Sequence, residues 1–172
     1  MSIIRTYPSG YAGASQTWRE IRKRADVALL DPQFKRRLLK MMREASKQGK
    51  ALGIGGGGRT TAQQTSLFLS RHHVDPAGSI VWNGQRWSRN PGTAPAAPPG
   101  SSYHEASTPL GHALAADMVG DLAWMKANCG WFGLCEFSAV NNEPWHVQPA
   151  EIPTARRNYV ASFHHPLKRW FK

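Results

Sequence analysis

One stretch of this 172-residue sequence limits the fold more than any other. Asp31-Pro32 precedes Phe34, Leu38, Met41/Met42 and Ala45 at helical spacing, and Gly49 follows the run. Aspartate accepts hydrogen bonds from the first N–H groups of a helix, proline suits its first position, and glycine ends it. The pattern predicts a helix over 32–48 whose apolar stripe must be covered by the rest of the chain. Its basic side chains, Lys35, Arg36, Arg37, Lys40, Arg43 and Lys47, mostly lie away from that stripe and read as a solvated face.

What can cover the stripe is a set of short elements. Residues 17–30, with Trp18, Ile21 and Ala25 on one side, predict a helix before it. Residues 51–54 predict a short strand running into Gly55–Gly58, and Thr60 or Thr61 can cap a helix continuing to Arg71. Residues 79–87 predict a hairpin about Asn83-Gly84, because Asn-Gly supplies the positive φ values of a type I′ turn. A strand is expected at 113–117 and a helix over 119–129 stopped by Gly130. Strands follow at 131–137 and 145–148, around an Asn141-Asn142 turn. The fold class that follows is α+β, a small, mostly antiparallel sheet with flanking helices. Length suits a single domain, 1–172. The Pro/Ala-rich stretch 90–100 would separate two domains unless residues on both sides serve one site.

Charge separates three portions. Over the whole chain, 22 Lys+Arg against 11 Asp+Glu gives +11, which points to a polyanionic partner. Residues 1–50 hold 12 basic and 4 acidic side chains, residues 51–150 hold 5 and 6, and residues 151–172 hold 5 and 1. A nearly neutral core, 51–150, thus lies between a basic helical N-terminal portion and a basic tail. A basic nucleic-acid-binding protein with a structural metal site is one reading, although no nucleic-acid motif is present and aromatics do not interleave with the basic run. No window approaches the ~20 apolar residues of a membrane-spanning helix. The first residues contain no apolar run of the secretory kind, so no signal peptide is expected. Cys129 and Cys135 are too few for a disulfide framework and read as buried thiols, a bridge between them being the alternative.

The neutral core also holds the residues capable of chemistry. Gly55–Gly58 before a helix could suggest a phosphate cradle, but the P-loop lysine and a βαβ pattern are both missing. Seven histidines are more informative. His72-His73 and His164-His165 have no other ligand types nearby and read as surface or core residues. The H-E-x-x-H and C-x-x-C spacings of common zinc sites are absent. There remain His104, Asp117 and the cluster Glu143-Pro-Trp-His146, in which a carboxylate stands three residues before an imidazole. Such a pair offers a metal ligand together with a base for the water at the metal.

Ser102-Tyr-His104, Ala115-Ala-Asp117 and Glu143-Pro-Trp-His146, in that order, resemble the zinc peptidases of the VanY-type D-alanyl-D-alanine carboxypeptidases and the related L-alanyl-D-glutamate endopeptidases. Arg59-Thr60-Thr-Ala-Gln-Gln64 resembles that family's upstream Arg-Ser/Thr-x-x-x-Gln segment. The likeness covers about residues 50–150 and is strongest to versions in phages of actinobacteria. It implies an LAS-type zinc peptidase fold with the site in a cleft over the sheet. It also implies Zn²⁺ held by His104, Asp117 and His146, with Glu143 as general base. Arg59 would neutralise the oxyanion or hold a substrate carboxylate, and Ser102, Gln64 and Trp145 would contact or border the substrate. One aspartate and two neutral imidazoles would leave the centre at about +1, still a Lewis acid.

The implied substrate is a peptidoglycan stem peptide, cut by a D-Ala-D-Ala carboxypeptidase or an endopeptidase. The implied setting is a phage lysin released from the host cytoplasm, or a virion component, with the basic flanks on the anionic wall and no specific nucleic-acid partner. An inactive wall-binding relative is the other alternative, against which Glu143 argues. The sequence departs from the family in one respect. The family's His-x-x-Gly-x-Ala-x-Asp places histidine and aspartate seven apart, whereas thirteen positions separate His104 from Asp117, a loop with Pro109 and Gly111 taking up the difference. His112 is the rival ligand. On a strand it would face away from Asp117, and His104 also keeps the Ser-x-His context of the family, so His104 is preferred. Because Arg59 and His104 would share a site, 90–100 reads as a loop within one domain.

Overall fold

The computed structural model describes residues 6–8, 15–106, 111–137 and 143–152. Over these residues the chain is α+β. Strands β1 (Thr6–Pro8) and β2 (Ser15–Thr17) pair antiparallel and lead through two single-turn helices, α1 (Trp18–Ile21) and α2 (Ala25–Ala28), into α3 (Pro32–Lys47). Asp31 caps α3 by accepting from the N–H groups of Gln33 and Phe34, each at 2.8 Å. The α3 stripe Phe34, Leu38, Met41, Met42 and Ala45 is fully buried.

The helix predicted over 17–30 is broken into α1 and α2. A Thr17–Glu20 capping box closes the first turn, and Arg24 then adopts an extended conformation (φ −61°, ψ 139°). That break lets the Arg24 guanidinium reach the carbonyl oxygens of Ile54 and Gly55 at 2.7 and 3.1 Å.

Beyond α3 come β3 (Leu52–Gly56), α4 (Thr61–Arg71), β4 (His72–Val74), β5 (Ile80–Trp82), β6 (Gln85–Arg89), β7 (Ala116–Gly120), α5 (Leu122–Asn128), β8 (Leu134–Phe137) and β9 (Glu143–Pro149). Four of these strands form an antiparallel sheet in the order β3-β7-β9-β8. One core joins that sheet to the helices: Leu52, Ile54, Met118, Leu134 and Val147 meet the α3 stripe, Val27 and Met125. The antiparallel sheet β4-β6-β5 packs on α4 through Phe68, which stacks on His72 at 4.3 Å and meets Trp82 and Trp87 edge-on at 5.2 and 5.3 Å. Its Asn83-Gly84 turn has φ of +52° and +73°, the hairpin geometry expected of that dipeptide.

Three boundaries differ from expectation. The strand predicted at 113–117 lies at Ala116–Gly120, because Ala113 is engaged with the entry to α3: its N–H and C=O bond Leu29 O and Asp31 N–H, each at 2.9 Å. The helix predicted over 119–129 starts only at Leu122, since Val119 is still paired with Gly53. It then runs on as a 3₁₀ turn, Cys129–Phe132, through Gly130. The terminating left-handed residue is Gly133, φ +65°. The last two strands are Leu134–Phe137 and Glu143–Pro149, and the Asn141-Asn142 turn lies outside the described residues. Cys129 is buried and Cys135 half-buried, both as thiols.

The glycine run has a packing role. Gly57 N–H donates to Asp26 Oδ2 at 2.9 Å and Gly58 N–H to Asp26 O at 2.8 Å. A Cβ at Gly58 would lie 2.8 Å from the Cβ atoms of both Leu29 and Ala113. Gly58→Ala is therefore expected to destabilise the fold by about 1–3 kcal/mol through overpacking. Urea unfolding of the two proteins measures it, and an unchanged midpoint would show that the backbone here has slack.

Candidate metal centre and active-site cleft

Strand pairing builds the site. Asp117 on β7 and His146 on β9 are directly opposed across the ladder, which puts both side chains on one face. Glu143 and His146, three apart, would face opposite sides of a regular strand. The register of β9 against β8 jumps from Val147↔Glu136 to Glu143↔Phe137, and this bulge brings both residues to the same cleft. Opposite Asp117 on β3 stands Gly56, which leaves the floor beside the carboxylate open.

His104 arrives from a loop. Its carbonyl accepts from Arg59 N–H at 2.6 Å, and Arg59 O in turn accepts from Ala106 N–H at 2.8 Å, a short parallel bridge that fixes Arg59 and His104 relative to each other. Ser102 Oγ accepts from His104 N–H at 3.2 Å. On the ring, Nδ1 lies 2.9 Å from Gly57 O. A carbonyl can only accept, so Nδ1 carries the proton and Nε2 presents its lone pair to the cleft.

Three donor atoms converge there. His104 Nε2 is 3.2 Å from His146 Nδ1 and 3.3 Å from Asp117 Oδ1, and His146 Nδ1 is 3.5 Å from Asp117 Oδ1. Tetrahedral zinc bonds of roughly 2.0–2.1 Å imply edges of about 3.3–3.4 Å, so the spacing fits a small divalent ion with a fourth position open. Burial works to raise the Asp117 pKa. Contact with the His104 and His146 rings outweighs it and holds the carboxyl well below the usual range, as an anion. Among the described residues, these three form the group able to hold a metal.

The surrounding cleft has a volume of about 810 Å³. Arg59, Gln64, Ser102, Glu143 and Trp145 line it, along with residues 94–97 of the Pro/Ala stretch. That stretch is tied to α4: Gln64 Nε2 donates to Ala97 O at 2.6 Å and Arg71 Nη1 to Pro95 O at 3.1 Å. Two buried atoms on the cleft lining have no hydrogen-bond partner among the described residues, the Nε donor of Arg59 and the Oε1 acceptor of Gln64. A buried polar atom left unpaired is costly, and a ligand offering one acceptor and one donor would satisfy both. Burial pushes the Arg59 pKa below the usual guanidinium value; Asp117 opposes the shift, Arg71 adds to it and Glu105 opposes it. The group remains a cation.

The structure leaves His112 exposed and ahead of β7, away from this cluster. The facing argument used against it does not apply, because residue 112 is on no strand. What brings His104 to the cluster is its contact with Gly57 and Arg59. Residues 107–110, within the extra loop, lie outside the described residues. His72 is buried with Nδ1 on Phe68 O, and exposed His73 bonds Asn90 Oδ1. Sequence reasoning missed Arg71 on the cleft wall and the role of Gly57. The glycine run did mark that place, although it read as a weak phosphate cradle.

Fold and site together define an α+β protein with a His-Asp-His centre in an open cleft. No protein-family model matches the sequence, and no curated protein matches it. Among solved structures it is similar to the vancomycin-resistance D,D-pentapeptidase VanY of a VanB-type cassette, a variant in complex with Zn(II): 17 % identity, TM-score 0.47, 95 % of this chain and 85 % of that one. VanYB in complex with D-alanine-D-alanine gives 16 %, 0.47, 95 % and 84 %. The LdcB LD-carboxypeptidase gives 17 %, 0.45, 70 % and 58 %.

The geometry makes metal binding measurable. The purified chain is expected to take up about one divalent ion. His104→Ala, Asp117→Ala and His146→Ala should each weaken binding by more than the roughly 10–100-fold that loss of an outer-shell partner causes. Competition with a chromophoric chelator reads the affinity, and a wild-type value in all three variants would dismiss the centre.

Proposed function

We propose that the protein is a zinc-dependent peptidase that hydrolyses an amide bond in the stem peptide of peptidoglycan. The observation that carries the reaction class is the convergence of His104, Asp117 and His146 at 3.2–3.5 Å in a cleft also lined by Glu143 and Arg59. The substrate class is supported by the ordered motifs Arg59-Thr-x-x-x-Gln64, Ser102-x-His104, Ala115-x-Asp117 and Glu143-x-Trp-His146 and the family they resemble. A zinc ion held by the three ligands would polarise a carbonyl and lower the pKa of its water to about 7.

The chain's own groups supply the remaining chemistry. Glu143, half-buried at the start of β9, takes the proton of the attacking water and returns it to the departing amine. Arg59, its Nε lacking a partner among the described residues, meets the negative charge that develops on the carbonyl oxygen. Gln64 Oε1 accepts from a peptide N–H and so orients the substrate. Ser102 helps to place His104, and Trp145, 42 % exposed, forms part of the cleft wall.

Incubating the protein with defined stem peptides and weighing the products by mass spectrometry tests this reading and identifies the amide cut, terminal or internal. Cleavage is expected to stop with a chelator and return with zinc. Glu143→Gln should lower kcat by about 10²–10⁴ with zinc still bound, and Arg59→Ala should lower kcat/KM by about 10²–10³. Absence of chelator-sensitive cleavage of every stem peptide, with Glu143→Gln equal to wild type, would refute it.

The setting we infer is a phage lysin or virion-associated hydrolase held on an anionic wall by its basic flanks. On α3, Arg36, Lys40 and Arg43 are exposed. Arg37 is not a solvated charge, because it binds Gly133 O at 2.9 Å and Glu151 at 2.8 Å. Lys35 Nζ likewise donates to Ala28 O at 3.3 Å. Reversing Arg36, Lys40 and Arg43 together is expected to slow digestion of whole walls several-fold more than cleavage of short peptides, with the gap closing at high salt. Equal loss on both substrates would count against electrostatic tethering.

A further inference from the structure

The Arg24–Asp26 pair lies some thirty residues before the cleft residues and is not part of the cleft lining. Its bonds nevertheless converge on the strand end and glycine run that hold His104. Asp26 grips the glycine run twice: Oδ2 accepts from Gly57 N–H at 2.9 Å, and its backbone oxygen accepts from Gly58 N–H at 2.8 Å. The second bond is made by the same peptide unit whose carbonyl, Gly57 O, faces His104 Nδ1 at 2.9 Å. Donation from one end of a peptide unit polarises the other, which makes Gly57 O a better acceptor.

Arg24 fixes Asp26 in turn. Its Nε and Nη2 fork onto the two carboxylate oxygens at 3.0 and 2.6 Å, while Nη1 and Nη2 also reach Ile54 O and Gly55 O. The pair is largely buried, with side-chain exposures of 12 % and 28 %. Space enforces the arrangement as well, since a Cβ at Gly57 would lie 2.7 Å from Asp26 O.

We propose that Arg24 and Asp26 are positioning residues for the metal centre. Acting through the Gly57–Gly58 peptide, they lock His104 in the Nδ1-protonated tautomer with Nε2 aimed at the ion. The proposal rests on the reading of His104 as a metal ligand. The basic N-terminal portion thereby supplies part of the outer shell of a site whose ligands all lie beyond residue 100.

Two readouts on the full chain test it. In the metal-free protein, long-range ¹H–¹⁵N correlation spectra report the His104 tautomer; in the loaded protein, chelator competition reports zinc affinity. Asp26→Ala is expected to lower the Nδ1–H population and weaken zinc about 10-fold, the lower end of outer-shell losses. Arg24→Lys, which loses the fork but keeps the charge, should give a smaller loss of the same kind. Asp31→Ala removes a helix cap outside this chain of bonds and should change stability while leaving tautomer and affinity unchanged.

Wild-type tautomer and affinity in folded Asp26→Ala would overturn the proposal, as would an equal loss in Asp31→Ala. If Asp26→Ala does not fold, Asp26→Asn and Arg24→Lys decide by the same readouts. Failure of the wild-type chain to bind zinc is a different result. It would remove the metal reading itself, and with it this proposal.

Discussion

The pairing of Asp117 with His146 across β7 and β9 is the contact on which the rest of the site depends. It is backbone hydrogen bonding that sets the two side chains on one face, so the spacing of their donor atoms follows from a ladder. The sheet is in turn held flat against α3 by Leu52, Ile54, Met118, Leu134 and Val147. Each fully buried apolar side chain of this size contributes about 1.5–3 kcal/mol of transfer free energy, enough collectively to keep a two-residue β7·β9 contact in register.

A ladder alone could not complete the centre. The third donor, His104, comes from a loop, and its position depends on polar contacts with the Gly57–Arg59 backbone. Those contacts tie three separated segments together: α2 through Asp26, the glycine run, and the loop at 102–106. The short parallel bridge between Arg59 and Glu105 ties the cation on the cleft wall to the loop that carries His104. The same bridge fixes the Arg59 main chain beside the three-residue cluster.

Much of the fold was legible. The α3 stripe, the Thr60 cap and the Asn83-Gly84 turn each follow from local chemistry, and each appears where the local rule places it. The boundaries that moved did so where a partner distant in sequence outcompeted local preference. Leu29 and Asp31 capture Ala113, Gly53 holds Val119 in the sheet, and the carbonyls of Ile54 and Gly55 engage Arg24 in the break between α1 and α2. The eight residues singled out, His104, Asp117, His146, Glu143, Arg59, Gln64, Ser102 and Trp145, do meet in one cleft. Their order along the chain pointed to them; their spacing did not.

What the sequence by itself determined is the chemical inventory and its local frames: an amphipathic helix with its caps, a hairpin, a glycine run, and histidine and carboxylate types suited to a divalent ion. Those follow from φ/ψ preferences and periodicity, which act over a few residues. How His104 reaches the cluster, why Glu143 and His146 share a face, and why Asp26 bears on His104 were decided only by tertiary structure. Each depends on a register, a bulge or a hydrogen bond between segments far apart in the chain, and no local rule specifies those.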